Sequence, residues 1–445
     1  MFQTFKNAWK VPDLRKKILF TLMILLLYRI GASLFVPYVN VTLLDAYAEG
    51  TLNAGIFSFV NLISGDAFSK ATLFALSVSP YITASIVMQL LTIALPPLER
   101  LSKEGEEGKK KINKYTRWVT VVLALITAYG YVKLLESGMG INMLLISKDT
   151  DAVQYYFGMA VMIACFCAGA ALVMWLAEQI NDRGIGNGIS MILFANILSS
   201  FTSMIQGMIA MVSGKEGAAL AGGIVEVVLS ILLTLGAILL IVWFTNSERR
   251  IPIQYAKRVV GRKMYGGQSS SLPLKMNMAG VMPVIFATSI IAIPATIAGF
   301  FPGSGFATWV SEWFGPTSVL YIVLLTVLIF AFSYFYIMIS FNPVEVANNI
   351  RSNGGAVPGI RPGKPTSDYI KKVLNRVTLM GALFLIVVSV VPYVISAVYG
   401  VFGIHDFTSF AFTGTSLLIV VGVALETVRD LEAQLAMRNY KGFLD

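Results

Sequence analysis

Histidine, the side chain whose ordinary pKa lies nearest neutrality and the commonest metal ligand, occurs once in these 445 residues, at His405 beside Asp406. Histidine-based catalytic triads, zinc helices and histidine-rich metal sites therefore have no parts to work with. The two cysteines, Cys165 and Cys167, lie two residues apart in one apolar stretch, roughly 200° around a helix from each other. They cannot share a ligand face and read as packing residues. A phosphate-binding loop must end in Gly-Lys-Ser/Thr, and the nearest approach, Gly214-Lys215-Glu216, lacks both the hydroxyl and the upstream glycine spacing. Inside the apolar stretches the ionisable residues are chiefly Arg29, Glu178 and Glu426, so paired acids able to carry protons or substrate ions are missing. No enzyme, resident cofactor or metal is expected.

Four other features demand more than inert helices. The segment 55–70 is moderately apolar, glycine-punctuated and too short to span a bilayer. Either it folds back into a central cavity, where irregular backbone is tolerated at membrane depth, or it lies on the outer surface as an amphipathic helix. In the run Ser77 to Gln89, small and hydroxylated residues interrupt an apolar stretch, and Pro80 frees a backbone carbonyl near its start. Val78, Ile82 and Ile86 share one helical face, while Thr83 and Gln89 offer polar contacts elsewhere, as glue between helices or as something more. Arg183-Gly-Ile-Gly-Asn-Gly-Ile-Ser190 has neither the preceding strand nor the acidic partner of a nucleotide motif, and reads as a tight turn that lets helices approach closely. Finally, the loops 245–276 and 342–376 are strongly basic. The first carries Arg250, Lys257, Arg258, Arg262 and Lys263, and the second presents Arg361 within Val357-Pro-Gly-Ile-Arg-Pro-Gly363, a stiff turn. Charge that only sets topology explains the count, whereas attraction to an anionic partner, RNA or an acidic protein, also explains the turn.

These features are positioned by ten apolar stretches, near 18–38, 74–95, 118–136, 154–178, 188–211, 220–244, 279–300, 317–341, 376–397 and 410–431. Each is long enough for a hydrocarbon core of about 30 Å, which takes roughly 20 helical residues. Of the 34 Lys and Arg, only Lys70, Lys133, Lys148 and Lys215 fall in the loops on one side, and Arg29 lies within the first stretch. The remainder lie on the side that holds both termini, which the positive-inside rule makes cytoplasmic. Anionic lipid headgroups account for part of the net charge of +10. A composition 56% hydrophobic and 13% charged belongs to a membrane protein rather than a soluble domain of this length. Met1 to Lys17 is polar and basic, so the first stretch is expected to be retained as a span, not cleaved.

Ten spaced blocks then carry a resemblance. They are Tyr28-Arg-Ile-Gly31, Ile63-Ser-Gly before Ala67-Phe-Ser, Pro80-Tyr-Ile-Thr-Ala-Ser85, Lys103-Glu-Gly-Glu106, Glu178-Gln, the Arg183 to Ser190 turn, Leu272-Pro-Leu-Lys-Met-Asn-Met-Ala-Gly280, Phe341-Asn-Pro343, Val357 to Gly363 and Gly414-Thr-Ser-Leu-Leu-Ile-Val420. Over essentially its whole length the chain resembles the SecY/Sec61α family of protein-conducting channels. The resemblance implies an all-α polytopic membrane protein with ten transmembrane helices in two inverted halves of five, residues 1–211 and 212–445, around an hourglass pore. It implies a pore ring of Val78, Ile82, Ile189, Leu193, Ile285 and Ile419, where bulky aliphatic side chains block ions by dewetting. It makes 55–70 a re-entrant plug, including Phe57, Leu62, Ile63, Ser64, Gly65 and Phe68. It places a lateral gate between the second and seventh spans, with Thr83, Gln89 and Asn277.

The implied activity is passage of unfolded secretory polypeptides across the bacterial cytoplasmic membrane, with lateral release of transmembrane segments. The implied partners are SecE and SecG, the SecA ATPase, the ribosome, signal-sequence-bearing polypeptides and membrane lipid. SecA or the ribosome would dock on Arg361 and the 245–276 loop. A secondary transporter would instead need convergent polar residues at the bilayer midplane, and an intramembrane hydrolase a catalytic pair. The chain offers aliphatic residues in place of the first and nothing for the second.

Overall fold

The computed structural model describes residues 2–47, 61, 64–137, 143–146, 152–213, 218–255, 258–260, 263–265, 269–298, 301, 304–315, 318–401 and 414–441. A short helix, α1 (Phe2–Lys10), leads into α2 (Pro12–Gly31) and, after a turn, α3 (Val41–Tyr47). There follow α4 (Ser79–Ala94), α5 (Pro96–Lys103), α6 (Glu106–Ser137), α7 (Ala152–Arg183), α8 (Gly188–Val212) and α9 (Ala218–Asn246). The second part of the chain holds α10 (Met282–Ala298), α11 (Gly305–Trp313), α12 (Val319–Ser340), α13 (Pro343–Ser352), α14 (Lys364–Val401) and α15 (Gly414–Lys441).

Each of the ten expected spans coincides with a helix: α2, α4, α6, α7, α8, α9, α10, α12, α14 and α15. By length and apolarity alone five of the described helices could cross a membrane, and six if α4 and α5, bent by 100° at Leu95, count as one. For three of the four remaining helices the shortfall has local causes. Asp13, Arg15, Lys16 and Lys17 charge the first turns of α2, α10 has only 17 residues, and Glu426, Arg429 and Asp430 interrupt α15. Helix α9 also carries Glu226, a further acid within an apolar stretch. The second span becomes helical only at Ser79; residues 65–78 run through turns with positive φ at Gly65, Asp66, Ala71 and Ser77.

The basic segment 245–276, expected as a loop, is instead folded. Strand β1 (Glu248–Tyr255) pairs antiparallel with β4 (Ser269–Lys275), and β2 (Arg258–Val260) pairs with β3 (Lys263–Tyr265) toward the tip of this hairpin. Ile251 and Ile253 point inward while Pro252 points out, the period-two alternation of a half-buried strand. The second basic segment joins it, because β5 (Gly355–Ala356) adds to the free edge of β1. Ile251, Ile253, Leu274, Ala347, Ile350, Val357 and Ile370 form a small shared core. The two basic loops thus form one α/β body on a chain whose other described elements are helices.

The largest core cluster draws on α2, α4, α7, α8, α9, α10, α12, α14 and α15. The glycine-rich turn before α8 does what its composition suggests. Asn187 caps α8 by accepting from the amides of Ile189 and Ser190, and Gly188 donates to Asn181 Oδ1 at 2.7 Å. A Cβ on Gly188 would lie 1.9 Å from the Ala177 carbonyl oxygen of α7. Gly188→Val therefore forces α7 and α8 apart, at an expected cost of about 1–3 kcal/mol or more. A lowered yield of folded protein in detergent, measured by thermal scanning against Gly236→Ala, where no atom lies within 4 Å, checks this.

Candidate functional site

The aliphatic residues singled out above come from four helices and share one core cluster. Val78 caps α4, and Ile82 and Ile86 follow on its inner face; Ile189, Leu193 and Ile197 line one side of α8 at helical spacing. Ile285 comes from α10 with Val281 and Val284 before it, and Ile419 from α15. Val78, Ile82, Leu193, Ile285 and Ile419 belong to the largest core cluster, all at most 2% exposed, and Ile189 packs against it. All six expected ring residues thus belong to or border one core cluster that other helices share, and their aliphatic side chains offer no hydrogen bond.

A polar node borders the apolar cluster. Asn196, one turn beyond Leu193, donates through Nδ2 to the Tyr28 hydroxyl at 2.8 Å and to Ser77 Oγ at 3.3 Å. Arg29 Nη1 donates to Asn196 Oδ1 at 3.5 Å. Ser77 adopts φ +50° immediately before ring residue Val78, a left-handed conformation that costs a non-glycine residue about 1–3 kcal/mol. Hydrogen bonding at its hydroxyl helps to hold it there.

The plug candidate meets this node through Gly65, at φ +64°. A Cβ there would lie 2.8 Å from Arg29 Nη1, 2.9 Å from Ser199 Oγ and 3.0 Å from Asn196 Oδ1, so any other residue must displace these polar groups as well as adopt the left-handed backbone. Ser64 Oγ donates to the Asn61 carbonyl and accepts from the Phe68 amide. Asn61 Nδ2 donates to Asp66 Oδ1 at 3.1 Å, and the Tyr131 hydroxyl donates to the Phe68 carbonyl while the two rings pack at 4.7 Å. Phe57, Leu62 and Ile63 lie outside the described residues.

Helices α4 and α10 pack against each other, as a lateral gate requires. The polar gate candidates, however, look inward to their own helix: Thr83 Oγ1 donates to the Ser79 carbonyl at 3.0 Å, and Gln89 Nε2 to Ser85 Oγ at 3.3 Å. Asn277 is buried at the foot of α10. Among the docking candidates, Arg361 is exposed on a turn whose Gly359 and Gly363 have φ +79° and +104°, and its carbonyl accepts from Thr366 Oγ1 at 2.8 Å. Arg250 Nε donates to Glu248 Oε1 at 2.6 Å. Arg258 and Lys263 stand on the β2–β3 hairpin, and Lys257 and Arg262 fall outside the described residues.

A family model described as SecY matches residues 72–428. The chain belongs to the SecY family. Its relatives agree end to end: the protein translocase subunit SecY of Streptomyces coelicolor is 45% identical over 449 residues, and that of Mycobacterium tuberculosis H37Rv 42% over 455, each alignment covering 100% of both chains. The SecY fold is shared more widely. A solved structure described as a protein conducting channel superposes with a TM-score of 0.62 at 19% identity, covering 94% of this chain and 92% of that one. Sec61 in a canine ribosome-channel complex gives 0.56 at 17%, with the same coverage. Within this SecY-family chain the node residues Tyr28, Ser77 and Asn196 carry no role in the sequence reading. One signal was available, an asparagine at the centre of Ile192-Leu-Phe-Ala-Asn-Ile-Leu198, where a polar side chain in apolar surroundings demands a partner.

Proposed function

We propose that this chain is the conduit through which unfolded secretory polypeptides cross the bacterial cytoplasmic membrane, and from which transmembrane segments leave sideways into lipid. The observation that carries the reading is the gathering of six aliphatic residues from α4, α8, α10 and α15 into one cluster. An apolar ring blocks ions at rest by dewetting, yet yields around a moving chain because it binds nothing specific. Residues 1–211 and 212–445 act as two halves, and the α4–α10 contact is the seam that opens. Since Thr83 and Gln89 bond within α4, the closed seam rests on apolar packing. A signal sequence competes for it by burying its own apolar helix. The plug at 55–70 is seated by Gly65 on Arg29, Ser199 and Asn196. Both termini are cytoplasmic, as are the basic platform and Arg361, where SecA or a translating ribosome docks and supplies the energy. SecE and SecG complete the complex, and the chain itself does no covalent chemistry.

The node supplies a prediction. Asn196→Ala deprives the buried Tyr28 and Ser77 hydroxyls of a shared donor, a loss of about 1–3 kcal/mol from the closed state. Proteoliposomes carrying this variant, with partner subunits and SecA, are expected to import a precursor bearing a defective signal sequence about tenfold faster than wild type. Unchanged discrimination in a correctly assembled variant contradicts the latch. The broader reading fails if a precursor becomes protease-protected equally well in vesicles that lack this chain.

A further inference from the structure

Helix α11 is amphipathic in a direction the channel does not use. Between Ala298 of α10 and Val319 of α12 its sequence Gly-Phe-Ala-Thr-Trp-Val-Ser-Glu-Trp places Phe306, Trp309 and Trp313 within about 60° of arc at 100° per residue. Thr308 and Ser311 take the opposite face, while Glu312, the single ionisable residue between Ala298 and Val319, flanks the aromatic arc about 90° from its centre. The three aromatic side chains are 42%, 47% and 48% exposed, while Val310 at the edge of the same face is fully buried. Ser304 caps the helix by accepting from the Ala307 amide at 3.2 Å. Phe306 stacks with Trp309 at 6.3 Å, and Trp309 packs on Phe314 at 5.7 Å. This is an ordered aromatic face, built and then left uncovered by the chain.

Its position says what covers it. The start of α10 and the end of α12 both adjoin the cytoplasmic α/β body, so α11 lies at the opposite ends of these helices and packs against both. Ile293 and Ile297 of α10, and Val319, Leu320, Val323 and Val327 of α12, are exposed apolar residues on the membrane-spanning helices. Helix α11 joins these two helices at that end, and Trp is favoured at the outer margin of a lipid-facing surface because an amphipathic ring sits at headgroup depth. A helix with one apolar and one polar face lies in the plane of such an interface.

We infer that α11 docks in the phospholipid headgroup layer of the outer leaflet through Phe306, Trp309 and Trp313, and so fixes the depth of the outer end of α10. The inference rests on the proposed orientation, with the basic platform in the cytoplasm, and not on the pore assignment. The test uses the full chain with its partner subunits and Trp309 as the only tryptophan, Trp9, Trp118, Trp175, Trp243 and Trp313 being replaced by Phe. The complex is placed in phosphatidylcholine/phosphatidylglycerol vesicles with nitroxide on the headgroup, on acyl carbon 5 or on acyl carbon 12. Shallow nitroxides are expected to quench Trp309 at least twofold more than carbon 12, with aqueous iodide quenching it less than half as well as free tryptophan. Full iodide quenching overturns the proposal, as does strongest quenching at carbon 12. Shielding from every quencher in the complex but not in the isolated chain also overturns it, since a protein subunit would then be the occupant. A second variant retaining Trp313 alone repeats the measurement should the first fail to fold.

Discussion

Replacing Ile82 and Leu193 together with asparagine leaves the resting channel open to ions. Both side chains are buried in the cluster where α4, α8, α10 and α15 meet. Two amides there have no protein partners to replace the water they lose, a cost of about 1–3 kcal/mol each. The cheapest remedy is to admit water, and a wetted constriction conducts. In planar bilayers we expect the double variant, assembled with its partner subunits, to show a steady conductance at least tenfold above the wild-type background. Ile82→Val with Leu193→Ile keeps the surface aliphatic and is expected to stay silent. A tight, correctly assembled asparagine variant would show that the seal lies elsewhere.

Reversing the charge at Arg361 is expected to reduce partner-driven transport about 100-fold while leaving the fold intact. The residue is exposed, on a turn braced by Pro358, Pro362 and two left-handed glycines, with Val357 anchored in the platform core. Among the described residues no carboxylate pairs with it, so under the proposed function its charge is the one a docking partner meets. Truncating one member of a desolvated interfacial charge pair costs about 2–5 kcal/mol, and about 1.4 kcal/mol is tenfold. An exposed site away from caps and cores changes stability by about 0.5 kcal/mol or less. Arg250, already bonded to Glu248, is the contrast: Arg250→Gln should cost less than tenfold. Rates of SecA-driven import at several salt concentrations, with Arg361→Lys as an intermediate case, measure both. Equal losses at the two positions would remove the special standing of the turn.

The ten spans were legible because each is a long apolar stretch that a helix overlaps. The glycine-rich turn was legible too, since Gly188 approaches the Ala177 carbonyl more closely than any side chain allows. Two things were not. The platform sheet went unread because Arg249-Arg250-Ile251-Pro252-Ile253 alternates over too few residues to stand out within a basic loop, and its third strand, Gly355–Ala356, arrives from about a hundred residues further on. The polar node was missed because its members are single residues from α2, α8 and the turn before α4, related only by packing. Thr83 and Gln89 were chosen as polar residues in a span, and pattern cannot tell a side chain that bonds its own helix from one that reaches across a seam.

The most direct test of the central claim is to place a photocrosslinker at Ile82, at Ile285 and, as a control, at Val327 on the exposed side of α12. A secretory precursor is then arrested midway through membranes supplied with SecA and ATP. Capture at Ile82 and Ile285 but not at Val327 is the predicted result. Capture at Val327 as strong as at the ring, or no capture anywhere while transport proceeds, would contradict a pore through this cluster.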